Sequence, residues 1–143
     1  MPSVTEEFCA AMLGPARGPL PPDVERAAGR TLLNVLGTAV SAAGSDAVRV
    51  LLAAADEAGG GVGHVTVPGL ARTLDPYWAA LVIGTSAHLD DFDDTHLATV
   101  IHPGAASLAA ALSLVPETAP PGAAFLGAFA AGCEAQLRIG CAV

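Results

Sequence analysis

Apolar residues recur at helical spacing along most of this chain. The longest case lies between residues 23 and 43, where apolar side chains return every three or four positions. They are Val24, Ala27, Ala28, Leu32, Val35, Leu36 and Ala39. This is the period of one face of an α-helix, so the pattern predicts a long amphipathic helix here.

Further segments show helical patterns, and capping or breaking residues mark where they begin and end. They span 5–13, 46–58, 74–87, 103–115 and 122–143. Pro- and Gly-rich stretches at 14–21 and 116–121 predict loops between them. Residues 64–67 alternate polar and apolar side chains, which indicates a short extended segment. The pattern as a whole predicts an all-α fold, a helical bundle.

Residues that cap helix N-termini stand where three of these helices begin. Thr5 is the expected cap of the first, Ser45 or Asp46 begins another, and Asp75 precedes the helix at 74–87. Pro76 fits the first turn of that helix, where its missing N–H costs nothing. The run Tyr-Trp-Ala-Ala-Leu-Val-Ile that follows has no polar side, so we expect this helix to be buried all round.

The length and net charge of the chain limit the classes of protein to which it can belong. A chain of 143 residues with 52% hydrophobic residues can bury a core and fits one domain over 1–143. Its formal net charge of −8 argues against nucleic acid and anionic membrane surfaces as partners. There is neither a signal-peptide pattern nor an apolar run that predicts a membrane span. We therefore expect a cytoplasmic protein whose three cysteines are reduced and buried.

The ionisable residues are concentrated in residues 88–102, here called the aspartate loop. This stretch holds four aspartates and three histidines, while residues 73–136 contain no Lys or Arg. The aspartates follow the C-terminus of a predicted helix, where the helix dipole disfavours anions. Water, backbone N–H groups, a protonated imidazole or a cation must therefore offset the negative charge of these aspartates. Such a departure from the local pattern is typical of a functional site.

The helix predicted after this loop presents its positive end to it. His102 immediately precedes Pro103, so it lies where free backbone N–H groups suit a carboxylate or phosphate. An imidazole at this place could take or give a proton near neutral pH. The residues therefore favour a pocket with one acidic wall and one wall that receives an anion.

The aspartate loop carries a family resemblance. His88-x-x-Asp-Phe-Asp-Asp-Thr-His96, followed by His102-Pro-Gly104, resembles the signature of the MmgE/PrpD family. Three other segments resemble helices of that family: RTLLNVLGTAVSAAG at 30–44, YWAALVIGTSAH at 77–88 and GCEAQLRIG at 132–140. The resemblance implies the helical fold of the family's N-terminal part.

The resemblance also implies a chemistry. The family includes 2-methylcitrate dehydratase, cis-aconitate decarboxylase and iminodisuccinate epimerase, which move a proton at a carbon next to a carboxylate. It implies a lyase or isomerase in which His102 moves the proton and Asp91 is the second catalytic residue. The side chains expected to bind a small carboxylate or related substrate are those of Thr95, Asp94, His96 and Arg138. No metal and no other cofactor is implied.

The residues by themselves leave other interpretations open. The aspartates could form a solvated loop, with Asp90 at the surface, and His88 could be a structural histidine bonded at a helix end. Arg138 could simply pair with Glu134. A metal site is a further alternative, which the resemblance does not favour and whose spacing matches no established motif. Its candidate ligands would be His88, Asp91, Asp93, His96 and His102.

The chain departs from the family pattern in several respects, and these departures affect which partner chains we expect. Asn34, Ile83 and Cys133 stand where the family commonly has Asp, Asn and Tyr. The family's substrate-binding lysines lie beyond the part that this chain resembles, and the chain contains no lysine. We therefore expect a homodimer or a complex with a second, lysine-bearing chain, as in a split enzyme, or else a reduced and repurposed family member. A non-catalytic subunit or binding module that retains the helical dimerisation surface is the alternative, and the chain could also be a fragment.

Overall fold

The computed structural model describes residues 1–16 and 18–143. Six α-helices and one two-stranded hairpin make up the regular structure of these residues. In chain order they are α1 (Val4–Ala16), α2 (Pro22–Ala42), α3 (Asp46–Glu57), β1 (Val65–Thr66), β2 (Thr73–Leu74), α4 (Pro76–His88), α5 (Pro103–Thr118) and α6 (Gly122–Ala142). The predicted helical fold is confirmed.

Helix α4 lies between α2 and α5, and the core forms where these helices meet. α5 also packs against α6, and α6 against α1. Large side chains that are almost wholly buried fill the space between them: Val35, Val48, Val82, Ile83, Leu108 and Phe129. Burial of branched and aromatic side chains of this kind is the main term that stabilises such a packing.

The hairpin closes one side of this core. Val65 pairs with Leu74 and Thr66 with Thr73 in antiparallel register. The chain reverses through Pro68 and Gly69, where Leu70 N–H donates to Val67 O at 3.1 Å. Gly69 has φ +78°, as the third position of a type II turn requires. The short extended segment expected at 64–67 is therefore one strand of a hairpin whose buried side chains join the helical core.

Two of the predicted N-caps are confirmed and one is wrong. Ser45 Oγ accepts from Val48 N–H at 3.3 Å, and Asp75 Oδ1 accepts from Tyr77 N–H at 2.9 Å. Helix α1 begins at Val4 instead of after Thr5. Ser3 Oγ accepts from the N–H of Glu6, whose carboxylate accepts from the N–H of Ser3. This reciprocal pair satisfies two backbone donors, which explains the earlier start.

Two predicted loops are shorter than expected. α1 continues past Leu13 to Ala16, and Arg17, which falls in the loop predicted at 14–21, lies outside the described residues. α5 continues through Pro116 to Thr118 and ends where Ala119 adopts a left-handed φ of 41°. Pro116 removes one N–H from the last turn only, where few intrahelical bonds remain to be lost.

The expectation that α4 is buried all round is wrong. Val82 and Ile83 are fully buried, but Tyr77 is 89% and Leu81 49% exposed. α2 and α5 cover two sides of the helix, whereas the side bearing Leu81 faces an open groove between α4 and α5. The apolar surface on this side is therefore a feature of the groove and not of the core.

The cysteines are free thiols and differ in exposure. Cys133 is partly covered, and desolvation raises the pKa of its thiol above the ordinary value. Cys9 and Cys141 are exposed, so the expectation of buried thiols is wrong for both.

Helices α2 and α3 meet at a sharp corner, with 81° between their axes. Within residues 1–16 and 18–143, no helix taken singly has both the length and the apolar composition to cross a membrane. The α2–α3 pair reaches that threshold only when its two bent parts are counted together.

Candidate functional site

The site is built around the start of α5. His102 is the N-cap residue, and Pro103 and Gly104 follow in the first turn. Asp94 Oδ1 accepts the backbone N–H of Gly104 at 3.0 Å, which satisfies one of the free donors of this helix end. A Cβ on Gly104 would lie 2.2 Å from that oxygen and 2.8 Å from Val35 Cγ1. Glycine is therefore needed at this position for Asp94 to reach the helix.

Asp94 thus has a structural partner where the sequence predicted a substrate contact. Desolvation raises the pKa of its half-buried carboxyl above the ordinary value, and the neighbouring charge of Asp93 acts in the same direction. The hydrogen bond from Gly104 opposes these effects without cancelling them. The His-Pro-Gly sequence and Asp94 form one unit that places His102.

Asp93 is the innermost carboxylate of the aspartate loop, and its side chain has no exposed surface. Both of its oxygens lie 3.0 Å from Nδ1 of His88. Its Oδ1 also lies 3.3 Å from Nδ1 of His102. A buried carboxylate needs polar partners to offset its lost hydration; His88 supplies a hydrogen bond, and the His102 ring lies within ion-pair distance. The two rings are tilted at 59°, with centroids 4.8 Å apart.

Two further side chains surround His102. Thr95 Oγ1 lies 3.4 Å from its Nδ1, and Asp91 Oδ1 lies 3.7 Å from its Nε2. The side chain of Asp91 is 78% exposed, and that of His102 is 21% exposed. Asp91 adopts φ 56°, a left-handed conformation that aspartate tolerates better than most residues. The structure therefore brings together the predicted residues His102, Asp91 and Thr95, and adds Asp93 and His88.

The rest of the aspartate loop is held by its own contacts. Asn34 Nδ2 on α2 donates to the Phe92 carbonyl at 3.1 Å. His96 N–H donates to Ile101 O at 2.9 Å, and its Nδ1 lies 2.9 Å from Thr99 Oγ1. His96, predicted to bind substrate, accordingly closes a turn of the loop.

Arg138, the other predicted binding residue, lies on α6. Its Nε donates to Glu134 Oε1 at 2.6 Å, one helical turn away. Arg138 and His96 share the lining of a shallow cavity of about 350 Å³, together with Glu134 and Leu137. Among the described residues, neither Arg138 nor His96 lines the groove that contains His102.

The groove beside His102 lies between α4 and α5 and has a volume of about 770 Å³. His88 and His102 stand at its polar end. The remaining walls are small or apolar: Ala80, Leu81, Gly84, Thr85, Ala105, Ala106, Ala109 and Ala110. An open apolar cleft with a few convergent polar groups is the usual form of a small-molecule site.

Sequence reasoning missed the role of Asp93. Four aspartates within five residues carry no periodic signal that tells which one turns inward. The geometry that selects Asp93 comes from α4 and α5, which place His88 and His102 on either side of it. The contacts of Asp93 with His88 and His102 follow no regular sequence spacing, so the sequence alone does not predict them.

Comparison with known proteins agrees with the motif. The family model described as the MmgE/PrpD N-terminal domain matches residues 6–143. Neither the curated proteins nor the solved structures contain a significant match.

Proposed function

Because this chain belongs to the MmgE/PrpD family, we propose that it carries the proton-transfer half of a lyase or isomerase site. The reaction class is removal or addition of a proton at a carbon next to a carboxylate or carbonyl, followed by dehydration, decarboxylation or epimerisation. His102 would move the proton. Asp91 and Thr95 would hold or orient the substrate.

The observation that carries this proposal is the contact between His102 and buried Asp93. The 3.3 Å separation turns Nδ1 of His102 towards a carboxylate that lacks exposed surface. If the His102 ring carries its proton on Nδ1, facing this carboxylate, its Nε2 lone pair is free to accept a proton. Asp93 is thus a positioning residue, with the orienting role that catalytic histidines commonly require.

The groove supports a small substrate. Its volume of about 770 Å³ lies within the range of small-molecule sites. Its alanine-rich walls contribute no charge, so recognition of polar groups falls to the end where Asp91, Thr95 and His102 meet. Thr95 can donate a hydrogen bond to a substrate oxygen.

Binding an anionic substrate there needs positive charge, and none of the described residues that line the groove is an arginine or lysine. The sequence has no lysine, and Arg49, Arg72 and Arg138 form ion pairs with Asp46, Asp56 and Glu134. Helix α4 and the aspartate loop also carry exposed apolar residues: Tyr77, Leu81, Phe92 and Leu97 are all exposed to 49% or more. Both features favour completion of the site by a second polypeptide that supplies cations and covers this surface.

A non-catalytic subunit or binding module is the second candidate function. It is favoured by the contacts of Asp94 and Arg138, which are engaged with Gly104 and Glu134. In that case the groove would bind a partner or ligand without proton transfer.

Proton exchange separates the two candidates. The protein, with any co-purifying chain retained, would be incubated in D₂O with 2-methylcitrate, cis-aconitate or iminodisuccinate, and deuterium incorporation followed by NMR. We expect exchange at a carbon next to a carboxylate. His102→Ala should reduce it at least about 100-fold, since a positioned general base contributes that much. Asp91→Asn should also remove activity.

His64→Ala is the matched control, because His64 lies outside the groove lining. It should exchange at the wild-type rate. Wild-type exchange in both the His102 and Asp91 variants would refute the site assignment. Absence of exchange with every substrate, in a preparation that contains its partner, would favour the binding module.

A further inference from the structure

The aspartate loop and the ends of α4 and α5 bring four potential metal ligands to one point. They are His88, Asp91, Asp93 and His102, and one donor atom from each lies within 4.8 Å of the others. We propose that this cluster binds a single divalent transition-metal ion of the Zn²⁺ type. The proposal goes beyond the proton-transfer function and does not depend on it.

The measured separations suit ligands that share one cation. His88 Nδ1 lies 3.0 Å from Asp93, His102 Nδ1 lies 3.3 Å from Asp93, and His102 Nε2 lies 3.7 Å from Asp91. Ligands at about 2.0–2.2 Å from zinc stand roughly 3.0–3.5 Å from one another. Only one of the two nitrogens of His102 would ligate, and the four donor atoms spread over up to 4.8 Å, so the side chains must move closer together to share one ion.

Charge balance favours a divalent ion. With neutral imidazoles, the cluster carries the two negative charges of Asp91 and Asp93, and Asp93 has no exposed side-chain surface. The ion pairs formed by described arginines all lie elsewhere in the chain. A 2+ ion would neutralise these carboxylates at short range, whereas the hydrogen bond between His88 and Asp93 is one that a neutral ring can make.

The donor types select the class of metal. Two imidazoles with two carboxylates suit Zn²⁺, Co²⁺, Ni²⁺ or Fe²⁺, while Ca²⁺ and Mg²⁺ prefer all-oxygen sites. His96, which the sequence alone also offered as a ligand, is engaged with Thr99 and does not join the cluster. The side chain of His88 is 53% exposed, so an ion can enter from solvent.

A bound ion would compete with the proposed proton transfer. A His102 nitrogen that ligates a metal has no lone pair left for a proton, and ligation through either nitrogen reorganises the contact with Asp93. We therefore expect Zn²⁺ to inhibit any His102-dependent exchange. Binding itself is measured separately, so failure of the metal site and failure of the proton-transfer function are distinguishable.

The test is titration of the purified protein, with any partner chain retained, with Co²⁺ and Zn²⁺. Calorimetry and the visible absorption of Co²⁺ would report binding, and Mg²⁺ would serve as the metal control. We expect one Zn²⁺ or Co²⁺ per chain and no comparable Mg²⁺ binding. Asp93→Asn and His88→Gln should each weaken Zn²⁺ binding at least about tenfold.

Two variants guard against misreading this result. His88→Gln changes a half-exposed side chain and should leave the fold intact by circular dichroism even if Asp93→Asn does not. His64→Ala removes a histidine outside the cluster and should bind as the wild type does. No stoichiometric binding, or binding unaffected by His88→Gln, would overturn the proposal.

Discussion

At the scale of single residues, three neighbouring carboxylates of the aspartate loop meet different environments. Asp91 is exposed near Nε2 of His102, Asp93 is buried between two imidazoles, and Asp94 accepts a backbone N–H of α5. Their chemistry follows from these contacts and not from their shared residue type. Burial raises the pKa of the Asp94 carboxyl, which makes the effect of its charge on stability open to measurement.

Replacing Asp94 separates its charge from its hydrogen bond. Because its folded pKa is raised, the folded state holds the proton more tightly than the unfolded chain, and stability falls as pH rises above about 3.9. Asp94→Asn can still accept from Gly104 but cannot ionise. We expect it to exceed the wild type in urea midpoint at pH 7, with the difference shrinking as pH approaches that value.

Asp94→Ala lacks the acceptor and should lose about 1 kcal/mol relative to Asp94→Asn at either pH, since Gly104 N–H is left unpaired. Both variants would be followed by equilibrium urea unfolding at several pH values. A midpoint difference between Asp94→Asn and the wild type that does not change with pH would contradict the account of the Asp94 charge.

At the scale of elements, α4 connects the fold to the site. Asp75 caps its N-terminus by accepting from Tyr77 and Trp78, at 2.9 and 3.3 Å, and His88 ends it beside Asp93. One side of the helix packs in the core while another lines the groove. A substitution that destabilises α4 should therefore lower the free energy of unfolding and also displace His88.

Asp75→Ala tests this connection. Loss of an N-cap acceptor costs about 1 kcal/mol, and we expect a fall of that size in the free energy of unfolding from urea titration. Asp90→Ala changes an exposed aspartate of the aspartate loop and should shift stability by less than about 0.5 kcal/mol. Equal effects of the two substitutions would refute the capping role.

At the scale of the whole molecule, the groove and the exposed apolar residues of α4 and the aspartate loop favour binding of a partner chain on this surface. Tyr77 and Leu97 are almost as exposed as in an unfolded chain, at 89% and 88%. Clustered apolar surface next to a polar site is typical of an interface. We propose that a second copy or a lysine-bearing chain binds here, as the composition also suggested.

Native mass spectrometry of the untagged protein from its source tests this assembly. We expect a homodimer or a stoichiometric second chain rich in lysine. Leu81→Arg, within the groove, should weaken the assembly at least tenfold, roughly 1.4 kcal/mol. Val50→Arg on α3 changes a residue that is 68% exposed outside that groove and should not. A monomer without any partner would contradict the proposed interface.

Local rules predicted much of the fold from the sequence. The period of α2 and the caps Ser45 and Asp75 follow from interactions within one or two helical turns, which a sequence displays directly. The same applies to the family motif, which the match over residues 6–143 confirms. The predicted start of α1 is wrong because Ser3 and Glu6 cap the helix reciprocally, two residues earlier than Thr5 would.

The sequence by itself thus determined the helical class, most helix positions, the family and the stretch that holds the candidate site residues. Only the tertiary structure decided that Asp93 turns inward, that one face of α4 lines a groove, and that Arg138 pairs with Glu134 away from His102. The physical reason is range: helix periods and caps depend on neighbours within a turn or two. Burial of one aspartate among four depends on where α4 and α5 place His88 and His102, fourteen positions apart in the chain.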